Sequence, residues 1–140
     1  NKITEGCFIM HLLDTDLLVG FLRNNPQALH KIKSLVEKRE QLYTSVINLH
    51  ELVVGAYLSK DIENNLDKIR LLIQSLNILL FDENVAYLSG KIYAQRVKIG
   101  KMIEQIDVLI ASLALANNLI LITKNIKHFE NIEGLQIETW

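Results

Sequence analysis

Short runs that are almost wholly apolar alternate along this chain with longer stretches in which apolar residues return every three or four positions. The run Phe8-Ile9-Met10-His11-Leu12-Leu13 has strand length and stops at Asp14-Thr15-Asp16, which predicts a buried strand running into a polar turn. A helix from Leu17 to Leu22 follows. Pro26 suits a first helical turn, and Leu29, Ile32 and Val36 keep a helical period up to the charged end Glu37-Lys38-Arg39-Glu40. Leu42-Tyr43-Thr44 predicts a short strand, Ser45 a cap for a helix from Val46 to Leu58, and Ile62 to Ser75 a further helix. Asn77 to Phe81 is again strand-like. Asp82 can cap a helix from Glu83 to Ile99, which Gly100 ends, and a helix from Glu104 to Ala116 leads through Asn117-Asn118 to the strand Leu119–Thr123. A helical turn over Ile126–Phe129 and a last strand near Leu135 to Glu138 complete the chain.

Central strands that are apolar on both sides and separated by helices predict right-handed crossovers and a mostly parallel sheet covered on both faces. The expected class is therefore α/β, in a three-layer α/β/α arrangement. Ligands of such sheets bind beyond the carboxyl ends of the strands. Asp14 and the segment Thr123-Lys124-Asn125 stand at two of those ends.

Composition narrows the picture. The 140 residues are 49% apolar, and one proline with six scattered glycines offers no linker, so residues 1–140 read as a single domain. Fifteen basic against sixteen acidic side chains leave a net charge of −1, so any polyanion must be held locally rather than by a general basic surface. The longest uncharged stretch, Val108 to Thr123, falls short of the roughly 20 residues a membrane helix needs. A lone Cys7 cannot form an internal disulfide, and no cationic start with an apolar run and cleavage site is present, so a soluble cytoplasmic protein is expected.

Three carboxylates stand where apolar neighbours dominate. Positions 47, 51, 54 and 58 share one helical face and read Ile47, Glu51, Val54 and Leu58. Asp107 shares a face with Ile110, Ala111 and Ala114, and Asp14 closes a buried strand. Desolvating unpaired carboxylates is costly, so a common compensating cation is expected. It can be Lys or Arg, or a hard divalent ion such as Mg²⁺ or Mn²⁺ that prefers carboxylate oxygen. Neither stripe carries a basic residue near Glu51 or Asp107, which favours the ion, and acids holding a divalent ion are a standard way to polarise phosphoryl groups and activate water.

Each acid also has a local explanation. Glu51 can snorkel from a helix boundary, Asp107 suits the positive end of its helix dipole, and Asp14 can be an N-cap in competition with Thr15 or Asp16. Asp16 reads as the structural cap of the helix start. Glu104, one turn before Asp107, is a site neighbour or a solvated first-turn acid. The group Lys31, Lys33, Lys38 and Arg39 reads as a solvated face that can also meet RNA phosphates. His11, His30, His50 and His128 show no zinc-type spacing, and the usual serine-hydrolase, P-loop and dinucleotide signatures are absent.

Leu12-Leu13-Asp14-Thr15-Asp16-Leu17-Leu18, Thr44-Ser45-Val46-Ile47-Asn48-Leu49-His50-Glu51-Leu52, Ile106-Asp107-Val108-Leu109-Ile110-Ala111 and Thr123-Lys124-Asn125-Ile126-Lys127-His128-Phe129 together resemble the four signature segments of PIN domains, and among them the VapC toxins. The order, spacing and closing Gly134-Leu135 extend the resemblance over essentially the whole chain. It implies a parallel sheet flanked by helices, an Mg²⁺- or Mn²⁺-dependent ribonuclease, a VapB-like antitoxin partner, and a homodimer that brings two sites onto one groove. By the same resemblance Asp14, Glu51 and Asp107 match three metal-binding acids, and Thr123 the hydroxyl that orders the site. The family's fourth acid has no counterpart, since Asn125 and His128 stand there; Asn125 can offer a carbonyl oxygen and Glu104 the missing charge.

The expectation is thus hydrolysis of an RNA phosphodiester, with single-stranded or loop RNA the accessible substrate and Lys124, Lys127 and Lys98 as candidate phosphate contacts. Two alternatives stay open. Asp14-Thr15-Asp16 mimics the D-x-D of haloacid-dehalogenase phosphatases, in which Asp14 would act covalently. A PIN-like module that binds RNA or protein without cutting is the other.

Overall fold

The computed structural model describes residues 9–140, so Cys7 and the Phe8 start of the first predicted strand lie outside it. Its elements are β1 (Met10–Leu13), α1 (Thr15–Leu22), α2 (Pro26–Glu37), β2 (Gln41–Ser45), α3 (Val46–Tyr57), α4 (Ile62–Gln74), β3 (Asn77–Leu79), α5 (Glu83–Lys98), α6 (Gln105–Ala116), β4 (Ile120–Ile122), α7 (Ile126–Phe129) and β5 (Ile137–Glu138). The predicted helices and strands are all present, with ends displaced by a few residues. The sheet is parallel throughout in the order β3-β2-β1-β4-β5.

Alternation along the strands distributes the core. Leu12 pairs in register with Leu121, and both enter an apolar layer with Val85 of α5, Val108 and Ala111 of α6, and Phe129. Leu13 and Ile122 point the other way, onto Leu17, Leu18, Leu35, Leu52 and Leu66 from α1 to α4. The result is the expected α/β/α layering. Strand order reverses at β1: β2 lies on one side and β4 on the other. That switch point puts Asp14 and Thr123 just beyond the carboxyl ends of β1 and β4, the position at which such sheets bind ligands.

Two local expectations are corrected. The buried face of α3 is Asn48, Leu52 and Ala56, whereas Val54 and Leu58 of the predicted core stripe are 44% and 83% exposed. This helix is apolar nearly all round, so periodicity alone does not select the inward side. Glu51 consequently borders the core at its rim. Asp14, not Asp16, caps α1, accepting from the Thr15 N–H at 2.9 Å.

Candidate active site

Asp14 is buried at the carboxyl end of β1, beside the switch point. Its backbone N–H still extends the sheet, donating to the Ile122 carbonyl at 3.0 Å, so the strand ladder fixes its position. The Thr123 hydroxyl donates to Oδ2 at 2.7 Å, while Oδ1 accepts from the Thr15 N–H and from Asn48 Nδ2 at 3.2 Å. Burial pushes its carboxyl up to about 6; the Thr123 and Thr15 hydrogen bonds oppose that rise, and the charges of Asp16 and Glu51 add to it. Among the described residues, no cation offsets the charge of a carboxylate so placed.

Glu51 joins Asp14 through a relay of neutral groups. Ser45 caps α3, accepting from the Ile47 and Asn48 N–H groups, and its hydroxyl donates to Asn48 Oδ1 at 2.6 Å. That bond fixes which end of the fully buried Asn48 amide faces the site. Asn48 Nδ2 also donates to Thr15 Oγ1 at 3.0 Å, and the Thr15 hydroxyl donates to Glu51 Oε1 at 2.6 Å. Ser45, Asn48 and Thr15 are ordering residues that the sequence reading did not assign. The available signal was a polar Asn one turn before Glu51 and three residues after a Ser cap.

Asp107 stands in the first turn of α6, which packs against α3. Burial raises its carboxyl and Glu104 adds to the rise, whereas His128 opposes it through a 3.0 Å contact from Nδ1 to Asp107 Oδ2. Glu104 is the exposed N-cap of α6 without a side-chain capping bond, so its carboxylate is not engaged by the helix end. Asp107, Glu104, His128, Lys127 and Arg96 share a cleft of about 190 Å³. Asn125 contributes its backbone N–H, which donates to Thr123 Oγ1 at 3.1 Å.

Asp16 and Lys124 have other partners. Asp16 Oδ2 accepts from the Lys124 N–H at 2.8 Å, and its Oδ1 from Trp140 Nε1 at 3.4 Å. The Lys124 ammonium donates to Gln27 Oε1 at 2.9 Å and lies 4.0 Å over the Trp140 ring, a cation–π contact. Of the candidate phosphate contacts, Lys127 alone lines the Asp107 cleft; Lys98 lies in the exposed last turn of α5. An Asp16 held by two donors is poorly placed as the acid of a D-x-D phosphatase.

The candidate residues fall into two separate groups, Asp14 with Asp16 and Glu51, and Asp107 with Glu104 and His128. Among the described residues no three acidic, His or Cys side chains are drawn together tightly enough to grip an ion as they stand. Nor, among those residues, does Lys or Arg form an ion pair with Asp14, Glu51 or Asp107. The internal salt bridge considered from sequence is thus not what compensates these acids. An oxygen-rich donor set around a buried, like-charged carboxylate fits a hard divalent cation.

The family description "PIN domain" matches residues 11–135. The chain is 32% identical over 132 residues to "Ribonuclease VapC1" of Haemophilus influenzae strain R2866, covering 94% of this chain and 98% of that protein. It is also 32% identical to the "tRNA(fMet)-specific endonuclease VapC" of Salmonella typhimurium, over 92% and 96% of the two chains. The fold superposes with a TM-score of 0.86 on a chain in the crystal structure of VapBC2 from Rickettsia felis bound to a DNA fragment from their promoter, at 31% identity and covering 94% of this chain and 99% of that one. The parallel sheet, the ordered Asp14 at its switch point and these likenesses lead to one conclusion: the chain belongs to the PIN-domain family, among its VapC members.

Proposed function

We propose that this protein is a divalent-metal-dependent endoribonuclease of the VapC kind, a toxin held in check by a VapB-like antitoxin. The observation that carries the reading is Asp14, a buried carboxylate ordered by Thr123 and Asn48, crowded by Asp16 and Glu51 and, among the described residues, without a basic partner. Asp14, Glu51 and Asp107 would hold Mg²⁺ or Mn²⁺, with Glu104 and Asn125 as auxiliary oxygen donors. When bound, such an ion supplies charge stabilisation at a phosphoryl oxygen and a water of lowered pKa.

The chain's own residues do the rest. Thr123 and Asn48 keep the two Asp14 oxygens apart in direction, one toward β4 and one toward α3. Thr15 holds Glu51 against the same helix start, limiting the rotamers that would otherwise have to be frozen on binding. Arg96 and Lys127 lend positive charge to the cleft beside Asp107, suited to a substrate phosphate on the accessible backbone of single-stranded or loop RNA. A homodimer and a cytoplasmic location belong to the same proposal. The relatives' names, ribonuclease and endonuclease, support it, as does the VapBC complex among the structural likenesses.

The test compares RNA cleavage by the parent protein and Asp14→Asn with Mn²⁺ present. Loss of cleavage in the variant, with RNA binding retained, is expected. His128 in place of a fourth acid favours the second reading, a non-cleaving binding module, which predicts binding without cleavage by both proteins. Release of phosphate from a small monoester, with a trapped phosphoaspartate, would point to the phosphatase instead.

A further inference from the structure

A groove of about 420 Å³ lies where α1, α3 and α4 meet, within the size range of small-ligand sites. Much of its wall is aliphatic: Val19 and Leu22 of α1, Leu52 of α3 and Ile69 of α4. Glu51 lines it as well, so it adjoins the Asp14 group. From Glu51 it follows α3 past Gly55, one turn or about 6 Å further on, to Ser59. Arg23, the C-cap of α1, and Lys68 of α4 bring positive charge to it. Among the described residues neither cation forms an ion pair.

The polar lining is ordered in advance. The Ser59 hydroxyl donates to the Ala56 carbonyl at 2.6 Å, so its oxygen accepts from Asn65 Nδ2 at 2.8 Å. That leaves Asn65 Oδ1 and one amide N–H for a ligand, an acceptor and a donor side by side. Gly55 sits in a helix interior, which costs helix stability relative to alanine, yet a Cβ there would meet nothing within 4 Å. Its effect is to keep the groove open. An unpaired nucleotide matches this lining: a base has two apolar faces and a hydrogen-bonding edge, and its backbone carries the negative charge. An apolar peptide would gain nothing from the two cations or the Asn65 amide. A chain of net charge −1 must also hold a polyanion locally, and these cations stand next to a candidate acid. We propose that the groove between α1, α3 and α4 is a nucleotide subsite, taking one unpaired RNA base beside the scissile phosphate, with Asn65 on its edge and Arg23 and Lys68 on flanking phosphates. The inference rests on the ribonuclease reading above.

The experiment measures binding of a fluorescent single-stranded RNA of mixed sequence by anisotropy in the non-cleaving Asp14→Asn background, and cleavage in the otherwise native chain. Gly55→Met fills the groove from a position where its Cβ has room, so the Tm, and its rise with Mn²⁺, should match the parent's. RNA binding should weaken at least about tenfold, the scale of one lost base contact, and KM for cleavage should rise with it while kcat holds. Asn65→Leu, which removes the amide edge, should weaken binding about fivefold. Arg23→Gln and Lys68→Gln, at exposed positions, should each reduce the slope of log affinity against log salt by about 0.7. Should Gly55→Met lower the Tm, the two charge variants decide alone. Unchanged RNA affinity in a stably folded Gly55→Met, or unchanged slopes in both charge variants, while the parent still cleaves RNA, overturns the inference. The ribonuclease reading then stands, and the groove falls to a segment of a protein partner. If the parent neither binds nor cleaves RNA, that reading falls and this inference falls with it.

Discussion

Asp14 makes a quantitative forecast about the metal-free protein. Its carboxyl is displaced from the ordinary 3.8 to about 6, chiefly by burial. The folded state therefore keeps this proton to higher pH than the unfolded chain. The associated stability is complete below pH 4 and is lost as pH rises through 6; at about 1.4 kcal/mol per pH unit the loss is about 3 kcal/mol. Asp14→Asn removes the charge and retains the shape. Its carbonyl oxygen can accept from Thr15 and Asn48, and its amide can donate to Thr123 Oγ1, which is then free to donate to Asp16 Oδ2, 3.3 Å away. Urea denaturation from pH 4 to 8, with chelator present, is the assay. The variant should be more stable than the parent at pH 7 by up to about 3 kcal/mol, with the two converging near pH 4. Mn²⁺ should reverse the ranking, because it stabilises only a protein that binds it. A variant no more stable than the parent at pH 7, or an equal gap at pH 4 and pH 7, refutes the account of Asp14 as a strained charge.

Other parts of the molecule give further outcomes. Asn48→Leu leaves Ser45 and Asp14 without their buried partner and should cost about 2 kcal/mol in chemical denaturation; single-turnover RNA cleavage should fall by at least about tenfold as Asp14 and Glu51 lose their orientation. At Gly20 a Cβ would meet the Ala28 Cβ at 2.9 Å and the Trp140 ring at 3.0 Å, so Gly20→Ala should lower stability by about 1–3 kcal/mol, read as a lower Tm. Glu138 is depressed: burial opposes the ionised form, but the Lys31 contact and charge, with His11, outweigh it. Its contribution is present above pH 4.5 and lost as pH falls through the lowered value. For so exposed a pair this is worth under about 1 kcal/mol, so Lys31→Met should change urea midpoints at pH 7 only slightly, and the difference should shrink as the pH is lowered into the acid range.

How much of this was legible in the sequence depended on whether a residue's partner lay close in the chain. The short apolar runs, the Ser45 and Asp82 caps and the α/β class follow from local pattern, and the structure has them. Asp14 and Thr123 were identifiable because strand ends are where such folds bind ligands, even though their hydrogen bond spans 109 positions. The orientation of α3 was not readable, since Val54 and Leu58 are as apolar as Leu52 and Ala56 and only tertiary packing decides among them. The same holds for Asp16, whose ties to Lys124 and Trp140 depend on how β4 and the end of the chain return to α1. His128 carried a partial signal as a departure at a signature position; its contact with Asp107 required the structure.

The pairing of Asp14 with Thr123 has a consequence for biosynthesis. The hydroxyl that orders the first acid is made more than a hundred residues after it and reaches it only when β4 docks beside β1. Domains are synthesised from the amino end, so a nascent chain passes through a long interval holding Asp14 without Thr123 or Asp107. The candidate site is thereby kept unassembled until most of the chain has been made.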